Sequence, residues 1–392
     1  MKQGIILDIK SMLKKRARQN GMLVVVVVIV LFFQIITKGV ILRPMNIANL
    51  VMQNAYVIIL ATGMMCCILT GGNVDLSVGS LCAFSGALSG LLMIGKGLNT
   101  WLVLMIVFGV AILIGIWNGG AIARFAVPPY IATLASQLVF RGGTYIVLKG
   151  VSYTSYPQEF LMLTTGFVPD FFHGKGIHIT TLLVGAAASV ICVLLDMKKR
   201  ARKRKYKLEV PGIPFFICKQ ALVCGVILWF TYALAAYKGI PVVLISVALI
   251  VLIYNFILEK TVAGRNLYAV CGNRKAARLS GINDDMVLFV VYLNMSVLAA
   301  IAGIVFTARM NSCSTMIGNG FEGDAIAACF IGGASPATGT GTIFGALIGA
   351  LVIGVLNNGM SILGVQSDVQ MCVKGLVLMI AVVFDQMQRK GR

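Results

Sequence analysis

The stretch ILTGGNVDLSVGSLCAF, Ile68–Phe84, decides how the rest of the chain is read. An apolar run stops, turns through Gly71, Gly72, Asn73 and Asp75, and resumes at Leu76 with its hydrophobicity intact. Asp75 is the only carboxylate between Asp8 and Glu159. Composition gives the setting. Apolar residues make up 59% of the 392 residues and charged residues 12%, with a mean hydropathy of +0.93. Soluble domains carry about 25% charge, so the chain is expected to be an all-α polytopic membrane protein. Its apolar runs are about 17–25 residues long, enough to cross a bilayer as helices. Period-two alternation is absent, which excludes an outer-membrane barrel pattern.

Working outward from the opening turn, the spans read as Met22–Thr37, Asn49–Thr70, Leu76–Ile94, Trp101–Ala123, Val127–Leu148, Ile179–Asp196, Ile213–Tyr237, Pro241–Leu258 and Met286–Thr307. A second hairpin follows, Ala325–Ile331 and Thr342–Leu356, and the last span is Val369–Phe384. That makes about twelve hydrophobic segments, of which Ala325–Ile331 is too short to cross alone. No small-residue cleavage site follows the first run, so it does not read as a signal peptide.

Basic residues favour the cytoplasmic side. With the amino terminus inside, Met197–Lys207, Glu259–Asp285, the carboxyl-terminal RKGR, Arg124 and the amino-terminal segment hold 23 of the 33 Lys and Arg. External loops hold seven, and Arg141, Lys219 and Lys374 fall within spans. Both termini are therefore expected in the cytoplasm. The net charge of +20 sits in loops flanking spans, where it reads as a topology signal near anionic headgroups rather than a nucleic-acid site. The chain is expected to form one transmembrane domain, 1–392, with a basic amino terminus at 1–20 and cytoplasmic loops at 197–210 and 259–285.

Most of the ten cysteines lie in apolar spans, where Cys acts as a small hydrophobe. They imply no disulfide framework. His173 and His178 share the external loop Gly150–His178 and define no metal site. No phosphate loop, HExxH or GxSxG nucleophile motif is present, so neither catalysis nor a cofactor is expected. Nucleotide hydrolysis would have to come from another chain.

Two features rise above this background. Thr70–Leu92 finds an echo in Ile331–Leu356: each carries a Gly-Gly step, a short polar turn and a Gly-rich helix. Asn-Gly steps follow in both, at Trp117–Gly120 and Leu356–Gly359. Broken helices in corresponding halves point to a transport path. Asp75 precedes a helix expected to begin near Leu76, where its carboxylate would cap free N–H groups with help from the helix dipole. Arg141 and Lys374 are candidate partners for it. A solute-contacting role is the functional reading, and an ion-coupling role has only a lone acid behind it. The second feature is Ala263–Asn283, a polar, Gly-punctuated loop whose RKAARLSG stretch suits a short helix. An interfacial amphipathic segment is the plain reading; a docking element for a cytoplasmic partner fits its mixed Arg, Asn and Ala pattern better.

GGNVDLSVGS (71–80), VPPYIATLASQLVFRGG (127–143), GRNLYAVCGNRKAARLSGI (264–282) and the glycine-rich run from Gly332 to Val365 resemble the permease subunits of bacterial ABC importers for monosaccharides. The likeness runs in order from about Asn49 to Asp385 and is nearest to the longer xylose and multiple-monosaccharide permeases, with two extra spans at Ile179–Tyr237. It implies a fold related to the vitamin B12 importer type, placed in the bacterial cytoplasmic membrane. It further implies a pore of two permease copies, a cytoplasmic ATPase and an extracytoplasmic sugar-binding protein docking on Gly150–His178 and Arg309–Asp324. Carried onto this chain, the ATPase-coupling residues are Gly264, Arg265, Gly272, Asn273, Ala276, Ala277, Arg278 and Gly281. Cys271 stands where a Gly or Ala is expected. The pore-side turn is Gly71–Ser77, with a counterpart around Gly332–Gly341. The candidate substrate pathway is Asn54, Gly71, Gly72, Asn73, Asp75, Ser77, Asn118 and Asn294, although Asn and Ser in spans also serve as helix–helix hydrogen-bonders. Gly86, Gly90, Gly115, Gly345 and Gly349 are expected to permit close packing. The alternatives are an ion-coupled secondary sugar transporter and an ABC permease for a non-sugar solute.

Overall fold

A computed structural model describes residues 17–390 apart from 173, 175, 209, 211 and 336–338. The expected basic residues Lys10, Lys14, Lys15 and Arg16, His173, and the end of the RKGR tail lie outside the described residues. The chain is helical almost throughout. In order it forms α1 (Ala17–Ile36), α2 (Pro44–Ile68), α3 (Val78–Gly90), α4 (Thr100–Ala123) and α5 (Pro129–Leu148). A two-residue strand β1 (Tyr153–Thr154) and a short α6 (Gln158–Thr165) precede α7 (Ile179–Lys205), α8 (Ile213–Ala235) and α9 (Val242–Lys260). Next come α10 (Val262–Gly272), α11 (Arg274–Leu279), α12 (Asp284–Met310) and β2 (Ser312–Cys313). The chain closes with α13 (Phe321–Ile331), α14 (Ile343–Ile362) and α15 (Ser367–Lys390).

Local chemistry sets these limits. Pro44 and Pro129 occupy first-turn positions, where the missing N–H costs nothing. Asn99 accepts from Trp101 N, Asn283 from Met286 N, and Thr342 from Gly345 N, each at the start of a helix. Lys149 and Asn311 end α5 and α12 in the left-handed conformation. Nine of the described helices are long and apolar enough to cross a membrane.

Lipid is as apolar as leucine, so close backbone packing and hydrogen bonds must hold the spans together. Small residues supply the first. On α12, Gly303 lies on the Cys82 backbone, and Gly115 and Gly119 of α4 lie on the backbones of Leu293 and Phe289. Between α13 and α14 the fit is tighter: a Cβ on Gly349 would sit 1.9 Å from the Ala328 carbonyl oxygen. The most hydropathic window of α2 is 83% buried, against 6% for α8. α2 is therefore central, and the α7–α8 pair is a peripheral hairpin that exposes Leu, Val and Trp side chains.

Several boundaries differ from the sequence expectation. The first broken helix starts at Val78, not Leu76, and its last turn widens to a π-turn at Leu91–Gly95. The basic segment expected as a loop at 197–210 continues α7 as far as Lys205, because Lys and Arg are good helix formers. The second broken helix covers Phe321–Ile331, four residues longer than expected. The expected external loop Gly150–His178 contains β1, which pairs antiparallel with β2, and α6.

Because Gly349 packs on the Ala328 carbonyl, Gly349→Val should cost about 2–3 kcal/mol by overpacking against backbone. Gly109→Val, whose Cβ would meet nothing within 4 Å, should be silent. Thermal unfolding of both variants in detergent micelles checks this.

Candidate functional site

The turn after α2 is built by its own side chains. Gly71 and Gly72 have φ of +106° and +90°, which an L side chain reaches only under strain. Asn73 Nδ2 donates to Thr70 O at 3.1 Å and to Thr70 Oγ1 at 3.0 Å. Asp75 Oδ1 accepts from Ser77 N at 2.8 Å and from Ser77 Oγ at 2.6 Å. The carboxylate therefore holds the turn residue that caps α3, one step back from the free helix N–H groups it was expected to cap. Its second oxygen, Oδ2, is buried and accepts no bond from the protein. The proposed ion-pair partners are engaged elsewhere. Arg141 donates to the carbonyls of Thr315 and Ile317 at 3.2 and 2.7 Å, and Lys374 pairs with Asp324 at 3.0 Å.

From Ser77 the polar chain continues. Asn118 Nδ2 donates to Ser77 Oγ at 3.4 Å, and Ser136 Oγ donates to Asn118 Oδ1. Asp75, Ser77, Asn118 and Ser136 are all buried and tie α3, α4 and α5 into one network. Ser136 was not singled out from sequence; its signal was its place within VPPYIATLASQLVFRGG.

The other two Asn candidates lie elsewhere. Asn54 Nδ2 donates to Ala350 O at 2.9 Å, bonding α2 to α14 against Gly354. Asn294 accepts from Tyr254 OH and lines a cavity of about 350 Å³ between α9, α10 and α12, together with Cys66, Asn266 and Met286. The eight candidates thus occupy three places, and only Asp75, Ser77 and Asn118 share a hydrogen-bonded network.

The loop at 259–285 is two helices with fixed joints. Thr261 caps α10 and Asn273 caps α11. Gly264 is pressed on the carbonyls of Ile257 and Leu258, where a Cβ would come within 2.2 Å of the latter. Gly281 turns with φ +83°. Arg274 and Arg278 fork onto Asp284 and Asp285: Arg278 Nε reaches Asp284 Oδ1 at 2.7 Å, and Arg278 Nη2 reaches Asp285 Oδ2 at 3.1 Å. Arg274 Nη2 reaches Asp285 Oδ1 at 3.2 Å. Both acids begin α12, where the helix dipole favours negative charge. Ala277 is buried beneath this clamp, whereas Leu279 is 91% exposed.

Beneath the loop lie both hairpin turns. Tyr268 OH donates to Gly341 O at 2.7 Å. Cys271 Sγ lies 4.0 Å from Ile68 O, and a Cβ on Gly339 would lie 3.4 Å from Gly272 Cα.

A second buried cluster escaped the sequence reading. Asp324, expected in an external loop, lies inside α13 at 3% exposure, with Tyr56 OH donating to its Oδ2 at 3.2 Å and Lys374 beside it. Asn357 stands near, and Glu322 Oε2 is buried without a partner. Among the described residues no group of three His, Cys, Asp or Glu could hold a metal ion.

Residues 46–382 match the family described as branched-chain amino acid transport system / permease component. The chain is similar to the xylose transport system permease protein of Haemophilus influenzae, 36% identical over 94% of this chain and 96% of that one. The xylose transport system permease protein of Escherichia coli is 33% identical over 92% of this chain and 89% of its own length. The ribose import permease protein of Bacillus subtilis is 34% identical, covering 88% and 86%. No solved structure matches the chain.

The geometry at Asp75 gives a graded expectation. Asp75→Asn keeps an oxygen to accept from Ser77 and should lower the unfolding temperature little. Asp75→Ala leaves two buried donors unpaired, at about 1–3 kcal/mol each. Thermal unfolding of the purified protein separates the two, and equal losses would remove the turn-holding account.

Proposed function

The chain belongs to the branched-chain amino acid transport system / permease component family, and from that premise we propose that it is the membrane-spanning subunit of an ATP-driven, binding-protein-dependent importer of a monosaccharide. The observation that carries this reading is the rigid loop at 259–285. It is clamped to α12 by Arg274 and Arg278, seated on both hairpin turns, and turned outward through Leu279. A separate cytoplasmic ATPase docks there and supplies the energy. The sugar assignment is supported by relatives named for xylose and ribose that align over 94% and 88% of this chain.

In this reading the whole chain is one permease domain in the bacterial cytoplasmic membrane. Both termini and the 259–285 loop face the cytoplasm. A sugar-binding protein docks on the opposite side, at the β1–β2 segment and its neighbours, and two copies of the chain enclose the path. ATP-driven closure of the ATPase moves α10 and α11, and through them the two turns, so that the path opens to one side at a time. Gly71, Gly72 and Asn73 stand at the tip of the first turn, partly open to solvent, and are the pathway residues nearest that motion. Asn294 in its cavity offers a second polar contact on the same side. Asp75, Ser77 and Asn118 hold the turn rather than touch solute.

The test uses lipid vesicles containing this chain with or without its co-purified ATPase and binding protein, scored for uptake of labelled D-xylose and D-ribose. Uphill loading is expected only with the full assembly and ATP. Loading driven by an ion gradient with this chain alone would establish the secondary-transporter alternative instead. Leu279→Glu should strip the ATPase during purification while leaving the unfolding temperature unchanged. Ala277→Glu should destabilise the loop itself, because Ala277 is buried.

A further inference from the structure

α13 spans the distance between two very different contacts. At one end it runs into the turn that carries Gly339 and Gly341, where Tyr268 OH bonds Gly341 O at 2.7 Å. That turn is tied by paired bonds between Ser335 and Thr340, at 2.7 and 3.1 Å. Gly339, with φ +62°, sits against Gly272 at the end of α10. At the other end, Asp324 is paired inside the protein with Lys374 of α15, whose Nζ lies 3.0 Å from Oδ1 and 3.1 Å from Oδ2. Tyr56 of α2 adds a third bond. Just before α13, Gly318 meets the start of α3: a Cβ there would come within 2.0 Å of Gly79 O.

The element between these ends is stiff. A Cβ on Gly332 would lie 2.2 Å from Gly345 O, and one on Gly349 would lie 1.9 Å from Ala328 O. The two helices touch backbone to backbone, so α13 and α14 move as one body. The far contact joins a buried acid to a partly exposed cation, with Asp324 at 3% and Lys374 at 24% side-chain exposure, so parting them strands the carboxylate without its charge partner.

We propose that the α13–α14 hairpin is a rod that carries motion of the 259–285 loop to a buried latch formed by Asp324, Lys374 and Tyr56. Tyr268 is the positioning residue at the loop end, and release of Lys374 from Asp324 accompanies the opening of the path. This rests on the reading that the loop docks an ATPase. Neither Tyr268 nor the latch residues touch solute in this scheme; they set how much of each ATP-driven stroke reaches the membrane interior.

Contiguity alone does not establish coupling, and double-mutant analysis does. The experiment compares wild type, Tyr268→Phe, Lys374→Met and the double variant as full assemblies in vesicles. It measures labelled D-xylose or D-ribose loaded per ATP hydrolysed, alongside ATPase retention and unfolding temperature. Tyr268→Phe should keep its ATPase, its basal hydrolysis and its unfolding temperature, yet load about ten-fold less sugar per ATP, near the upper end of what one residue on such a path exerts. The double variant should lose no more than the worse single variant. Asp324→Asn combined with Lys374→Gln, which removes both charges without stranding either, should be uncoupled in the same way. A wild-type ratio in Tyr268→Phe, or losses that multiply in the double variant, would overturn the rod while leaving the docking reading intact. Loss of the ATPase from the wild-type protein itself would sink the docking reading and the rod with it.

Discussion

Backbone N–H and C=O groups inside a membrane must find partners within the protein, and the rest of this structure follows from how that requirement is met where helices break. Nine of the described helices are long and apolar enough to cross a membrane, and a helix meets the requirement internally. At the irregular segments side chains add to the backbone bonds. Asp75 takes the Ser77 N–H, Asn73 takes the Thr70 carbonyl, and Arg141 reaches from α5 to the carbonyls of Thr315 and Ile317. Arg141 therefore explains two things at once: why a cation is tolerated in a span, and how the segment leading into α13 stays folded. The single early acid of the chain serves the same end.

The second constraint is the absence of a hydrophobic driving force between spans. Association has to come from contact, and glycine gives the closest contact. The pairs Gly79 with Gly318, Gly303 with Cys82, and Gly349 with Ala328 all bring backbone against backbone. Each joins a broken helix to a neighbour. The 43 glycines thus do more than loosen turns, and they let the two interrupted hairpins interlock with α12 and with each other.

How much of this was legible in the sequence depends on whether a residue's role is local. The spans, the hairpin at Gly71–Asp75 and the helix within RKAARLSG follow from periodicity and turn chemistry, which act over a few residues, and the structure has all three. The partners of Arg141 and Lys374 depend on tertiary packing and were misassigned. Asp324 looked like a loop acid because carboxylates near the end of an apolar run are usually outside it; its cation lies 50 residues away on another helix. Asn54 and Asn294 illustrate a deeper ambiguity. An Asn in a span reads the same whether it faces a path or bonds a neighbouring helix, and only the carbonyl of Ala350 or the hydroxyl of Tyr254 tells them apart.

The segments held by side chains are also the ones that can rearrange at low cost. Shifting a regular helix by one residue breaks its whole hydrogen-bond ladder, whereas moving the turn at Gly71–Ser77 exchanges a few side-chain bonds, and the other turn is closed by backbone bonds between Ser335 and Thr340. Both turns lie beneath α10, one against Cys271 and the other against Tyr268. The loop above them is the reverse case, because four Arg–Asp contacts fix it to α12. In the proposed reading, a stiff plate resting on two turns would convert a small displacement at the surface into a change at membrane depth. This arrangement follows from where the chain spends its polar groups: ion pairs fix the loop to α12, side-chain bonds hold the first turn, and backbone bonds close the second.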